Sequence, residues 1–401
     1  AGHEMVKAAR LTAKIDIAPL AEGKISISSA QMFGTHLKLY RQSADREANY
    51  QFILDSLASK EPSNNTSLDL RVNSFIMRHC SVTYDQLDAA TTKGKLNPKH
   101  LNIDGISCHI ILKALNKDSL NVNIKKIAFK EQSGMKLDKL SLRLEAGKNF
   151  CKLNEFSLEM PNTHIVLNKA SASYKSKGYK PILATLKYSG MIGESKISPS
   201  DFAWLAPPLE NIGRTVLLTV KFSGTSTDIR FPRMEIKTTD NTTILNSDGW
   251  IRRNAKSPLW YANINNMMTS GKTISDVMKA IGTENPQLVK AVENINEIKI
   301  SGIVGSSESR KFTANCEIKS DAGDADLYYS LSKNNVFSCN LNTKSININK
   351  LFENNKFGTL SADIVGQGRI SSGKISQADI KGHINDFDYN NYKYSNISLD
   401  V

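Results

Sequence analysis

Residues 140–160 read LSLRLEAGKNFCKLNEFSLEM, and this stretch contains the pattern that decides the fold. Leucine occupies every second position of 140–144, with polar residues between, and a second alternating run follows at 156–160. Gly147-Lys148-Asn149 lies between the two runs and is a turn signal. Successive side chains of a strand point to opposite faces, so the stretch predicts two antiparallel strands with one shared apolar face.

The same alternation recurs along the chain, while helical spacing occurs in only four places. We expect further strands at 24–28, 67–77, 101–113, 120–129, 163–174, 216–222, 229–237, 298–304, 312–319 and 337–348. We expect helices at 47–59, at 200–209, at 274–281 and 286–292 within 273–294, and at 350–354. The predicted class is mainly β, with an elongated antiparallel sheet and a few short helices. No βαβ alternation is present, which excludes a Rossmann-type enzyme.

The 401 residues exceed what one hydrophobic core usually organises. Both ends look internal to a longer protein, because residues 1–10 lack an initiator methionine and residues 396–401 still alternate. No apolar run approaches the roughly 18 residues of a membrane-spanning helix. We expect five segments: N-proximal strands and a helix at 1–62, β-structure at 63–197, a helix-led β segment at 198–270, a helical insertion at 271–296, and β-structure continuing beyond the sequence at 297–401.

The net charge of +13 would suit nucleic acid or an anionic surface. However, Lys and Arg stand singly between apolar residues, as at Lys139, Arg143 and Lys148. The pairs Lys125-Lys126 and Arg252-Arg253 are not interleaved with aromatic residues. This distribution predicts a solvated outer face and no nucleic-acid partner.

Histidine and cysteine offer two suggestive pairs, His79-Cys80 and Cys108-His109. Neighbouring residues on a strand point to opposite faces, so neither pair can share one metal ion without a bulge. The five cysteines, Cys80, Cys108, Cys151, Cys316 and Cys339, are far apart and form no dense disulfide framework. We expect most of them to be small buried hydrophobic residues, and we expect no metal.

Two other motifs favour ordinary structure over chemistry. Residues 270–273, Ser-Gly-Lys-Thr, resemble the end of a phosphate-binding loop, but Asn266 stands where that loop needs glycine, so we expect a helix start. Residues 321–326 gather three aspartates, but Ser332 replaces the closing glutamate of a calcium loop, so we expect a hairpin turn. No catalytic centre or cofactor site is indicated, and the chain is predicted not to be an enzyme.

Two stretches resemble a known family. Residues 11–42 read LTAKIDIAPLAEGKISISSAQMFGTHLKLYRQ and are followed by NYQFILDSL at 49–57. Residues 349–370 read NKLFENNKFGTLSADIVGQGRI and are followed by INDFDYNNYKYSNISLDV at 384–401. These stretches are similar to AsmA-like proteins of the TamB family (translocation and assembly module) of Bacteroidetes-type bacteria. The order of the remaining elements is similar too, so the resemblance covers nearly the whole chain.

The resemblance implies a trough-like (β-taco) sheet in the periplasm, in a protein anchored in the inner membrane by a helix outside this sequence. The family is linked to phospholipid movement between the two membranes and to outer-membrane protein assembly. It therefore implies phospholipid acyl chains as the cargo and an outer-membrane assembly protein as a possible partner. It supplies no catalytic residues.

An apolar groove for acyl chains would be lined by every second strand residue. The predicted lining residues are Leu140, Leu142, Leu144, Ile165, Leu167, Leu218, Val220, Ile346, Ile348, Ile397 and Leu399. Three alternatives stay open. The same residues would fill a closed sandwich; the chain would be an adhesion or scaffolding module that binds protein or polysaccharide; or a pocket would gather His79, Cys80, His109 or the 321–326 aspartates into an enzyme site.

Overall fold

A computed structural model describes residues 4–19, 24–52, 55, 69–116, 118–177, 180–253, 257–280, 285–371 and 374–401. The chain divides into two compact units, residues 1–215 (unit 1) and residues 216–401 (unit 2). Each unit is built around strands that pair with the next strand along the chain.

Unit 1 contains nine strands among its described residues, and two short 3-10 helices follow them. The strands are β1 (Val6–Asp16), β2 (Lys24–Arg41), β3 (Asp69–Gln86), β4 (His100–Leu115), β5 (Ser119–Glu131), β6 (Lys136–Gly147), β7 (Phe150–Glu159), β8 (His164–Lys177) and β9 (Lys180–Ile197). The 3-10 helices are Pro199–Phe202 and Pro207–Asn211. The predicted helix at 200–209 is therefore helical but split, because Pro207 begins a separate turn.

Strand pairing in unit 1 is antiparallel with one exception. The hairpins from β3 to β9 and the β1–β2 hairpin are antiparallel. Strands β2 and β3 instead pair in parallel, from Lys24 opposite Asp69 to Arg41 opposite Gln86. Parallel neighbours need a return connection of about a dozen residues or more, and residues 42–68 supply one. The expectation of purely antiparallel pairing is wrong at this one place.

Unit 2 contains eleven strands, all paired antiparallel, among its described residues. They are β10 (Val216–Thr225), β11 (Asp228–Thr238), β12 (Ile244–Arg252), β13 (Leu259–Thr269), β14 (Ile298–Gly305), β15 (Arg310–Ser320), β16 (Gly323–Ser332), β17 (Val336–Asn347), β18 (Phe357–Ser371), β19 (Lys374–Tyr389) and β20 (Tyr392–Asp400). The 321–326 stretch forms the β15–β16 hairpin, as predicted.

Three helices gather at one end of the unit 2 strands: α1 (Gly271–Ala280), α2 (Pro286–Glu293) and α3 (Ile348–Phe352). The Ser270 hydroxyl accepts from the Thr273 amide at 3.2 Å, which confirms the predicted helix start. Glycine is required at 271, because a Cβ there would lie 1.8 Å from the Val292 carbonyl oxygen of α2. Asn294 donates to the Leu351 carbonyl at 3.0 Å and ties α2 to α3.

The mainly β class with few short helices is confirmed. The helices predicted at 274–281 and 286–292 correspond to α1 and α2, and that at 350–354 corresponds to α3. Of the helix predicted at 47–59, residues 51, 52 and 55 are helical, whereas residues 53, 54 and 56–59 lie outside the described residues. None of the helices that the structure describes is long and apolar enough to cross a membrane.

Candidate functional site: the apolar strand faces of the two units

One face of the unit 1 sheet carries continuous rows of apolar side chains. Residues directly opposite one another on paired strands share a face. Following these pairs from β1 to β8 gives a row of eight apolar residues: Leu11, Met32, Met77, Cys108, Ile127, Leu140, Leu158 and Ile165. A parallel row contains Ile15, Ile27, Val72, Leu112, Val122, Leu144, Leu153 and Ala170.

Unit 2 carries a longer row, which crosses all eleven of its strands. It contains Leu218, Ile236, Leu245, Met267, Ile300, Ile318, Ala325, Thr343, Ala362, Ile384 and Ile397. Thr343 is the one polar member, and its hydroxyl donates to the Ala362 carbonyl at 3.2 Å, so it presents little free polarity. The rows of both units define what we call the apolar face of each sheet.

The opposite face of each sheet is polar. In unit 1 its pairs run through Asn123, Arg143, Asn154 and Lys169. In unit 2 they run through Lys299, Lys319, Asp324 and Lys344. Short ion pairs, such as Arg143–Glu155 at 3.0 Å and Lys319–Glu317 at 2.7 Å, lie among exposed side chains. The predicted solvated outer face is this side of the sheets.

The apolar faces are half-buried rather than covered. Most row members keep partial exposure, whereas residues between two packed layers are almost completely buried. This partial exposure fits strands whose apolar side lacks a second layer over most of its area.

The predicted lining residues of unit 1 all lie on its apolar face. Leu140, Leu142 and Leu144 are on β6, opposite Ile127, Ile124 and Val122 of β5. Ile165 and Leu167 are on β8, opposite Leu158 and Phe156 of β7. Leu167 is 8% exposed, and the other four are half-buried.

In unit 2, local alternation predicted lining residues that are far apart in the sequence and that the fold places in shared rows. Leu218 and Ile397 are the two ends of the eleven-strand row, and Val220 and Leu399 end the adjacent row. Ile346 pairs with Leu360 of β18, which lies two residues from Ala362 of the eleven-strand row. Val220 is 6% exposed and Ile397 37% exposed, so coverage varies along the face. Ile348 begins α3 and is not a strand residue.

An aromatic strip runs across the apolar face of unit 2 near one end of its strands. Trp260–Phe312, Phe312–Tyr329 and Tyr329–Phe337 have ring centroids 6.1, 6.1 and 6.5 Å apart. The sequence did not reveal this strip, because its members are far apart in the chain. Alternation on β13, β15, β16 and β17 was the only signal that they share a face.

Apart from Cys80 and Cys108, which are neighbours on the adjacent strands β3 and β4, the residues considered for chemistry are not brought together by the fold. Cys80 is buried beside the Met32 and Arg78 carbonyls, and His109 lies opposite Lys126. Asp321 forms an ion pair with Lys350 at 2.5 Å and accepts from the Asn296 side chain. Within the described ranges, no group of three or more His, Cys, Asp or Glu side chains could hold a metal ion.

Four of the five cysteines lie on the apolar faces and have thiols whose pKa is raised by burial. Cys108 belongs to the unit 1 row, and burial raises the pKa of its thiol. Burial likewise raises the pKa of Cys151, Cys316 and Cys339. The nucleophile and the metal ligand are the thiolate, so these side chains behave as small hydrophobic groups, as predicted.

Compared with protein-family models, with curated proteins and with solved structures, the chain matches none.

Proposed function

We propose that the apolar faces hold phospholipid acyl chains, and that the chain is a lipid-carrying segment of a cell-envelope protein of the AsmA-like, TamB type. The proposal places the protein in the periplasm, with an inner-membrane anchor outside this sequence. Phospholipid moving between the inner and outer membranes is the proposed cargo. An outer-membrane assembly protein is a further proposed partner, on the resemblance alone.

The half-buried apolar rows are the observation that carries this proposal. An acyl chain in water costs about 0.8 kcal/mol per methylene, so a chain of ~16 carbons faces a barrier above ~10 kcal/mol. A continuous apolar surface that the protein leaves partly uncovered lowers that cost. The row from Leu218 to Ile397 is continuous over eleven strands. A sandwich core would instead have buried its members completely.

The same geometry supports a role in binding rather than catalysis. Burial raises the pKa of Cys108, Cys151, Cys316 and Cys339 and so favours their neutral thiols, and the acidic cluster at 321–326 is committed to a hairpin and to Lys350. We therefore infer that the chain is not an enzyme.

The test uses two isoleucines of β14 that point to opposite faces. Ile300 belongs to the eleven-strand row, whereas Ile303 lies on the polar face and is 44% exposed. Ile300→Lys puts an ammonium group among acyl chains, where it costs roughly 2.5–3.5 kcal/mol. We expect it to lower retention of phospholipid at least about tenfold, measured by mass spectrometry of lipid co-purified with the chain.

Ile303→Lys is the matched control, because it adds the same charge to the same strand. Its lipid content should equal that of the unchanged chain. A chain purified from membrane-containing lysate without phospholipid would overturn the proposal, and so would equal lipid loss in both variants. Circular dichroism of both variants establishes that the sheet is retained.

A further inference from the structure

An aromatic pair lies on the polar face of unit 2 and is therefore not part of the apolar rows. Trp250 of β12 is directly opposite Tyr261 of β13, with ring centroids 6.1 Å apart and planes 14° apart. Its chain neighbours Gly249 and Ile251 point to the apolar face. Asp248 and Arg252 flank Trp250 on the polar face, two residues away in either direction.

A cleft of about 300 Å³ opens beside Trp250, and Tyr261 stacks on Trp250 without lining the cleft. Strand β11 has an irregular register between Phe231 and Met234, so it bulges away from β12 at Pro232. The cleft is lined by Asp228, Arg230, Pro232, Asp248, Trp250 and Arg252 among others. Its volume is at the lower end of the range for small-molecule sites.

Hydrogen-bonding groups are fixed in place around the cleft. The Arg252 guanidinium lies 5.0 Å from the centre of the Trp250 ring, which holds its N–H donors beside the aromatic surface. Asp248 Oδ1 accepts from the amides of Asn263 and Asn265, both at 3.0 Å. Both hydrogen bonds are made to Oδ1. Among the described contacts, Oδ2 is therefore left to accept a hydrogen bond from a ligand.

The charges of the cleft cancel, which decides the ligand class. Arg230 and Arg252 are matched by Asp228 and Asp248, so a phosphate or carboxylate would meet carboxylates as well as guanidinium groups. A sugar hydroxyl both donates and accepts, and therefore suits fixed donors and fixed acceptors together. The C–H face of a sugar ring is apolar and suits the Trp250–Tyr261 surface.

We propose that this cleft binds a neutral oligosaccharide chain on the polar face of unit 2. A sugar ring lies against Trp250, which Tyr261 supports, Arg252 donates to the sugar hydroxyls, and Asp248 accepts from them. The site faces away from the acyl-binding rows, so it is independent of the function proposed above. Ile300→Lys should leave it unchanged.

Calorimetric titration with cellotetraose and with chitotetraose tests the site. We expect saturable binding of at least one of them to the full chain. Trp250→Ala should weaken it about tenfold or more, the scale on which removing one stacking aromatic weakens binding. Trp260→Leu removes a tryptophan from the opposite face of the neighbouring strand and should leave the affinity unchanged.

Asp248→Asn keeps the shape of the cleft and guards against a folding defect in Trp250→Ala. It removes the charged acceptor and should weaken binding severalfold while the thermal melt stays unchanged. No saturable binding of either sugar would overturn the proposal, as would an affinity that Trp250→Ala does not alter. Inorganic phosphate that competes with the sugar at equal concentration would also overturn it, in favour of an anion site.

Discussion

The apolar faces of the two units follow one plan but are filled differently. In unit 1 the rows consist mainly of leucine, isoleucine, valine and methionine. In unit 2 the rows contain glycine at Gly249, Gly302, Gly368 and Gly382, and aromatic rings stand near them. A Cβ at Gly302 would lie 2.2 Å from the Asn315 carbonyl oxygen, and one at Gly368 would lie 2.1 Å from that of Gln377.

This difference separates two properties that alternation alone does not distinguish. Alternation makes a sheet apolar on one side, whereas curvature depends on places where backbones can approach closely. In unit 1 a Cβ at Gly193 would have its nearest neighbour, the Val166 carbonyl oxygen, at 3.8 Å. We infer that the glycines of unit 2 allow neighbouring backbones to approach closely on its apolar side, while unit 1 fills that side with bulk.

Adding one methyl group at a crowded glycine of unit 2 and at an uncrowded glycine of unit 1 is the strongest way to break this comparison. Gly302 has φ of +140°, so Gly302→Ala combines backbone strain with a clash and should cost about 2–5 kcal/mol of unfolding free energy in unit 2. Gly193→Ala has ordinary space and should change the stability of unit 1 by less than about 1 kcal/mol. Urea unfolding, followed by tryptophan fluorescence, measures both.

The three tryptophans allow each unit to be followed separately. Trp204 reports on unit 1, and Trp250 with Trp260 reports on unit 2. Replacing one set by phenylalanine leaves the other as the signal. Equal stability losses for the two alanine variants would show that the glycines of unit 2 are not placed for close approach.

Two leucines of β6 that differ in burial test how completely the apolar face of unit 1 is covered. Leu137 is 6% exposed, whereas Leu140 is half-buried in the apolar row. Leu137→Ala should cost about 2–5 kcal/mol, the usual range for a buried leucine. Leu140→Ala should cost only about 1–2 kcal/mol, because part of that side chain already meets water. Equal costs would indicate that the row is fully covered after all.

A smaller effect concerns pH and is confined to unit 1. His100 Nδ1 contacts Asp85 Oδ1 at 2.9 Å and Nε2 contacts the Ala89 carbonyl at 2.9 Å, so both ring nitrogens face acceptors. The Asp85 bond, and then the Ala89 bond, raise the pKa of His100 above its ordinary value. Because the folded state prefers the protonated ring, this stabilisation is present below the ordinary pKa and is lost as pH rises through the raised pKa.

We therefore expect the melting temperature of unit 1 to fall modestly between about pH 6 and pH 8. His100→Gln cannot titrate and should flatten that part of the profile. A profile that keeps its slope in the variant would assign the effect to another group.

Much of the fold could be predicted because alternation is a local signal. The strand at 140–144, the 321–326 hairpin and the helix start at Ser270 all follow from neighbouring residues. The parallel β2–β3 pair could not be predicted in this way, since alternation is the same in parallel and antiparallel strands. Its orientation depends on the path of residues 42–68.

The candidate sites show the same limit. Leu218 and Ile397 were predicted individually, but their membership of one row depends on ten successive pairings. In the sequence, no aromatic residue is interleaved with the Arg252-Arg253 pair. Two-residue periodicity nevertheless places Trp250 and Arg252 on one face, a signal that a search for adjacent residues misses.

The parallel β2–β3 pair also determines when the N-terminal hairpin can join its sheet during synthesis. Antiparallel neighbours close over short turns and can form as soon as they emerge, whereas β2 must wait until the 42–68 connection and β3 have been made. At ordinary translation speeds that wait lasts roughly a few seconds. The β1–β2 hairpin therefore has only its own two strands to pair with until β3 has been made, and its apolar side chains need shielding in that interval.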